Sequence, residues 1–228
     1  MSFFQVKTDN ESIKEASSGN YINSSDMYDV TLEAVWVDTN DKGARTIGLL
    51  VNYNDSIQPI YSAFRLDNND GSPNFEQQMF NKFLICCGVE SLNEPVPADL
   101  PIGKNKSDKE VPVFTDSELH GVEVTLRIAM EYGKYNGNIT EKKKVKGVYR
   151  ASDKATASEI VNNAEAGKQY KKDLDYAHKD IYKDNVTEDE VTEWINAGRP
   201  KDGDGNNTSG NTSFKFGANK PKPKFGKK

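Results

Sequence analysis

The sequence predicts a mainly β protein with minor α content. Three observations predict it. Apolar residues alternate with polar ones in several separate segments, which is the period of a half-buried strand. One segment between the strands, near Phe75–Cys87, has helical spacing instead. The third is the order of these elements between Tyr21 and Arg150: three strands, one helix, two strands.

The first strand is carried by Tyr28, Val30, Leu32, Ala34 and Trp36, read as one face. Asp38-Thr39-Asn40-Asp41-Lys42-Gly43 is a turn-forming cluster. The second strand follows with Ile47, Leu49, Val51 and Tyr53 on one side, and Asn54-Asp55-Ser56 turns the chain again. A third strand covers about Ile57 to Leu66. Asp67-Asn68-Asn69-Asp70-Gly71-Ser72-Pro73 then ends the strands. Ser72 is the expected helix cap and Pro73 suits a first turn. Phe75, Met79, Phe80, Phe83, Leu84 and Cys87 recur at helical spacing, with Gly88 as the C-terminal stop. Residues 91–117 read as a long Pro- and Lys-containing loop. Val122, Val124, Leu126, Ile128, Met130 and Tyr132 make the fourth strand. Gly133–Asn138 forms a hairpin turn, and the fifth strand runs from about Ile139 to Arg150.

This order is that of the OB-fold, a five-stranded barrel, here with its helix between the third and fourth predicted strands. Residues 21–152 are expected to form it. Residues 1–20 are polar and expected to be a flexible N-terminal segment. Residues 153–200 are expected to be a helical C-terminal extension, weakly patterned through Ala155–Ala164 and Tyr170–Ile181. They end in a well-marked helix: Thr187-Glu188-Asp189-Glu190 is a capping box, Val191, Trp194 and Ile195 share a face, and Gly198 stops it. Residues 201–228 read as a disordered basic tail.

Composition limits the function. The net charge is -5, and residues 201–228 hold seven lysines against Asp202 and Asp204, so the first 200 residues carry -10. Cys86 and Cys87, the two cysteines, are adjacent and read as reduced thiols. No signal peptide and no stretch of about 20 apolar residues is evident. His120 and His178 belong to no metal-spaced group, and Gly103-Lys104 lacks the preceding glycine of a phosphate loop. Placing Gly71 at the sixth position of a calcium loop would make Leu66 the first ligand, so that reading fails. The expectation is a protein that is not an enzyme and has no cofactor or metal.

What chemistry there is lies in cations and aromatics. From Gly133 to Arg150, six cations face only Glu141. Lys134 and Tyr135 lie in the turn, and period 2 places Lys142, Lys144, Lys146 and Arg150 on one face of the fifth strand, with Lys143, Val145, Gly147 and Tyr149 on the other. Arg45, Tyr61 and Arg65 would extend this surface, and Tyr53 less directly. Cations that track phosphates beside aromatics that stack bases are what a single-stranded nucleic acid requires. Lysines on a strand also protect edges against aggregation, and Tyr53, Tyr61 and Tyr149 serve equally as barrel packing.

The chain resembles the bacteriophage single-stranded DNA-binding proteins of the OB-fold group. The resemblance is carried by Gly19-Asn20-Tyr21-Ile22, by Asn74-Phe75-Glu76 to Phe83, by Leu119-His120-Gly121-Val122-Glu123-Val124 through Glu131-Tyr132-Gly133-Lys134-Tyr135-Asn136-Gly137, and by Val145-Lys146-Gly147-Val148-Tyr149. It covers roughly residues 15–152. It implies sequence-tolerant binding of single-stranded DNA in phage replication, recombination or repair, in the cytoplasm of the infected bacterial host. It also implies replication or recombination partners contacted through the C-terminal region; no membrane partner is expected, from the lack of a long apolar stretch. Many such proteins end in an acidic tail, whereas this tail is basic. A protein-interaction adaptor or loader of a phage replisome or recombination complex is the alternative expectation, and a nuclease a third.

Overall fold

In the computed structural model, residues 20–199 are described, and the expectations for the N-terminal segment and the basic tail lie outside them. The chain runs β1 (Asp26–Thr39), β2 (Arg45–Tyr53), β3 (Ser56–Arg65), α1 (Gln77–Cys87), β4 (Val96–Leu100), β5 (Lys109–Phe114), β6 (Glu123–Tyr135), β7 (Asn138–Arg150), α2 (Ala157–Val161), α3 (Lys168–Leu174), β8 (Ile181–Tyr182) and α4 (Glu188–Asn196). The protein is mainly β. Its sheet is antiparallel except where β8 joins β6 in parallel.

β1 is the hub. One edge pairs with β2 from Thr31 to Thr39. The other pairs first with β6 from Asp26 to Thr31 and then with β5 at Val35 and Trp36. β6 pairs with β7 along the whole hairpin, and β3 lies beside β7 without a hydrogen-bonded ladder among the described residues. The sheet therefore curls without closing. α1 lies against both strands at this seam, with Phe80 and Phe83 packed on Phe64 at centroid distances of 5.7 and 5.4 Å. The core inside the curl joins Leu32, Val35, Ile47, Leu49, Val51, Ile60 and Phe64 to Val124, Leu126 and Ile128.

Two expectations fail, the first through a β-bulge. A register shift between Leu32 and Ala34 adds one residue to β1, so the run from Tyr28 to Trp36 does not keep one face. Leu32 and Val35 point into the main core, whereas Ala34 and Trp36 point the other way. There they meet the second difference. Residues 91–117 are not a loop: β4 and β5 form a hairpin arm whose Ile102, Val111 and Val113 bury Trp36 and Leu50 in a core of their own. At five residues with Pro97 inside it, Val96–Leu100 is too short to announce itself as a strand.

The helix also begins later than Ser72 suggests. The Ser72 hydroxyl turns back to Asp70, 2.6 Å away, and Asp67 pairs with Pro73 in an isolated bridge. Glu76 caps α1 without a side-chain bond to its own helix, since its carboxylate accepts the Arg65 backbone N–H at 2.9 Å instead. Phe75 consequently falls outside the helical face and is 79% exposed. Gly88, at φ 79°, ends the helix as expected. The β6–β7 turn is tighter than expected, with only Asn136 (φ 50°) and Gly137 (φ 83°) between paired Tyr135 and Asn138. This is the left-handed pair that two-residue hairpins favour.

Residues 153–199 pack against the β6–β7 hairpin. The Thr187–Glu190 capping box forms as read, and α4 lays Val191, Trp194 and Ile195 on Met130, Tyr132 and Ile139. The helical pattern expected through Tyr176–Ile181 is absent, because the chain there reaches β6 as β8.

Two outcomes are expected from this packing. Gly48 pairs with Trp36, and a Cβ at Gly48 would lie 2.1 Å from the indole. Gly48→Ala should therefore cost about 1–3 kcal/mol, read as a lower urea midpoint at unchanged slope. Burial pushes the Cys86 thiol up to about 11 and the Cys87 thiol up to about 12. Neither should react with iodoacetamide at pH 8 while folded, and both should react once unfolded.

Candidate nucleic-acid interface

The lysine-rich strand is where the residues read as a site are most concentrated, and a bulge rearranges it. Arg127 pairs with Gly147 and Ile128 pairs with Val145, so Lys146 is the extra residue of β7. Alternation holds up to that point: Lys142 and Lys144 lie opposite Glu131 and Ala129, on the face of β6 turned away from the core. Lys146 opens onto the same side, beside Arg127 and Ala129. Past the bulge the faces exchange. Arg150, expected with the lysines, lies opposite core residue Val124, and Tyr149, expected on the opposite face, lies opposite Thr125 on the lysine side.

Most of the candidate cations have carboxylate partners. Arg45 meets Asp67 through two side-chain bonds of 2.6 and 3.1 Å. Arg150 grips Asp153 at 3.0 and 2.6 Å. Lys134 reaches Glu190 of α4 at 2.8 Å, and Lys144 stands 3.8 Å from Glu76 at the start of α1. Burial lowers the Lys144 pKa, partly offset by Glu76. Arg65 donates to the Asp67 carbonyl at 2.9 Å and to the Asn69 side chain at 3.1 Å, which holds it within the 67–70 turn. Among the described residues, Lys142 and Lys146 have no ion pair.

The aromatics divide between packing and exposure. Tyr53 sits edge-on to Tyr28 at 5.1 Å and packs on the main core. Tyr149 is buried, donates to Asp173 at 2.6 Å and crosses Gly147, whose missing side chain leaves room for its ring. Burial and the Asp173 carboxylate both push the Tyr149 pKa upward. Tyr61 is 41% exposed, edge-on to Trp36, with its hydroxyl donating to the Ile102 carbonyl at 2.6 Å. Tyr135, at the hairpin tip, is 71% exposed.

The eleven residues are thus not one surface. Arg45, Arg65 and Tyr61 belong to the β2–β3 side, Lys134 to the face under α4, and Lys142, Lys144 and Lys146 to the outer face of β7. The sequence reading passed over Arg127, although its odd position in β6 already placed it opposite the core residues Val124, Leu126 and Ile128. Tyr176 and Lys179 lie in a segment whose weak helical pattern gave no sign of a site. His120 is structural: its Nδ1 lies 2.8 Å from the carbonyl of Glu33, the bulged residue of β1. Among the described residues, no group of His, Cys, Asp and Glu could hold a metal ion. No helix there is long and apolar enough to cross a membrane. Neither a comparison with protein-family models nor one with curated proteins finds a match for this chain.

The Arg150–Asp153 pair gives a pH signature. Its hydrogen bonds hold the Asp153 carboxyl down at about 2. A depressed folded-state pKa contributes stability that is complete above the unfolded value near 3.9 and lost as pH falls through about 2. The pair is solvent-exposed, so Asp153→Asn should cost no more than about 1 kcal/mol at pH 7. The cost should vanish near pH 2, as read by chemical denaturation at both pH values.

Proposed function

We propose that this chain is a non-catalytic, sequence-tolerant single-stranded DNA-binding protein of phage replication or recombination, built on an OB-fold barrel. One observation carries the reading: β1 pairs with both β2 and β6, β6 returns as β7 beside β3, and α1 packs against the β3–β7 seam. This connectivity supports an OB barrel, with the β4–β5 arm inserted between α1 and the fourth barrel strand. The open β3–β7 seam departs from a fully laddered barrel, and α1 fills it.

The binding surface combines Lys142 and Lys146, which have no ion pair among the described residues, with the exposed Tyr135; the half-exposed Tyr61 lies on the separate β2–β3 side. The exposed Arg150–Asp153 pair is worth only about 0.2–1 kcal/mol, so a phosphate can compete for Arg150. Replication or recombination partners reached through the C-terminal region would need surfaces other than the apolar face of α4. That face is already spent on Met130 and Tyr132, which weakens the adaptor alternative in its simplest form.

Fluorescence anisotropy with labelled oligo-dT tests the reading. Binding should tighten as salt falls, with a slope of about -0.7 per neutralised phosphate. Lys142→Gln should weaken it about equally for oligo-dT and a mixed sequence. The absence of binding at about 50 mM salt would refute the function.

A further inference from the structure

A shallow cleft of about 210 Å³ opens on the outer face of the β6–β7 hairpin, away from the β2–β3 side. Arg127 and Ala129 of β6 form its floor, Lys146 one wall, and Tyr176, Lys179 and Asp180 the other. Two features of the fold build it. The bulge brings Lys146 to the side of Arg127, and the 176–181 segment is drawn across the hairpin by the β6–β8 pairing.

Its cations have no carboxylate partner among the described residues. Arg45, Arg150 and Arg199 each sit on a carboxylate. Arg127 sits on none: one N–H donates to the Lys146 carbonyl at 3.2 Å, and its enclosed Nε has no acceptor among the described residues. Lys146 and Lys179 likewise lack an ion pair there. The single carboxylate of the cleft, Asp180, accepts the Ser25 hydroxyl instead of meeting any of the three cations. A half-enclosed guanidinium without a counter-charge is unfavourable, and an anion entering the cleft relieves it. Beside it stands the Tyr176 ring, 54% exposed, with the Lys179 ammonium 4.7 Å from its centroid.

We propose that this cleft seats one phosphodiester of a bound single strand between Arg127, Lys146 and Lys179, with the adjoining base against Tyr176. The inference rests on the single-stranded DNA reading and extends its β7 surface, which already includes Lys146, into a seat built jointly by β6, β7 and the C-terminal segment. The strand would run from the hairpin tip at Tyr135 past Lys142 to the cleft, all on the outer side of β7.

The test compares oligo-dT binding by the full chain, by Lys146→Gln/Lys179→Gln, and by the charge-matched Lys82→Gln/Lys109→Gln, with Tyr176→Leu as a fourth protein. The melting temperatures of the lysine variants are read alongside and should stay in place, since Lys82, Lys109 and Lys179 are exposed and Lys146 is half-buried with no ion pair among the described residues. The Lys146/Lys179 pair should weaken binding roughly five- to tenfold near 0.1 M salt and shrink the salt slope by about 0.7, one phosphate's share. Tyr176→Leu should weaken binding about fivefold or more at unchanged slope, because stacking releases no counterions. Equal weakening by the two lysine pairs would reduce the effect to net charge and overturn the seat, while leaving the DNA-binding function standing. A full chain that binds no oligomer would remove both.

Discussion

β1 is hydrogen-bonded along both edges, and the rest of the structure is arranged around that double pairing. Its second edge changes partner midway, from β6 to β5, and the change occurs at the bulged Glu33. The Leu32 N–H donates to the Val122 carbonyl at 2.9 Å, the Gly121 N–H donates to the Leu32 carbonyl at 2.8 Å, and His120 occupies the Glu33 carbonyl. These contacts satisfy backbone groups that neither ladder reaches, which a buried strand cannot leave unpaired. By reversing the side-chain alternation, the same bulge turns Trp36 outward. The arm then becomes necessary, since an exposed indole beside Leu50 would be an apolar patch.

The second bulge, at Lys146, does for the charges what the first does for the apolar side chains. Without it, Arg150 would stand with Lys142, Lys144 and Lys146, and Tyr149 would face the core. With it, Tyr149 is free to anchor the C-terminal segment through Asp173 and Tyr170. Arg150 is left to brace the turn at Asp153, which also accepts the Ala155 backbone N–H at 3.1 Å. Lys142 and Lys146 on the outer face remain without carboxylates among the described residues. A protein with a net charge of -5 can hold a local cationic surface in this way, because exposed charges beyond about 8 Å are largely screened at physiological salt.

The C-terminal segment behaves as part of the same body. α4 covers one face of the β6–β7 hairpin, where Lys134–Glu190 and Arg199–Glu141 tie it down at 2.8 and 3.1 Å. The 168–181 stretch covers the other face. The hairpin is long enough to project past β1, and these two coverings replace the neighbour it lacks there.

Much of this was legible in residue order. The strands around Ile47–Tyr53 and Val124–Tyr132, the helix stop at Gly88, the Thr187 capping box and the outward set of Lys142 and Lys144 follow from period and local chemistry alone. Those signals act within a few residues, so one chain suffices to read them. The arm, the sidedness of Trp36 and the placing of Tyr149 and Arg150 were not legible. The arm is too short to carry a period; the other two depend on bulges, each of which adds one residue to one strand and is specified by how its partner strand fits, not by the strand's own sequence. The pairing of cations belongs to the same class: Asp67, Glu190 and Glu76 find Arg45, Lys134 and Lys144 only across elements distant in the chain. The sequence by itself determined which segments are strands and that cations and aromatics collect near the last hairpin. Only the tertiary structure decided which of those cations stay unneutralised, because that depends on which carboxylates the fold carries to them.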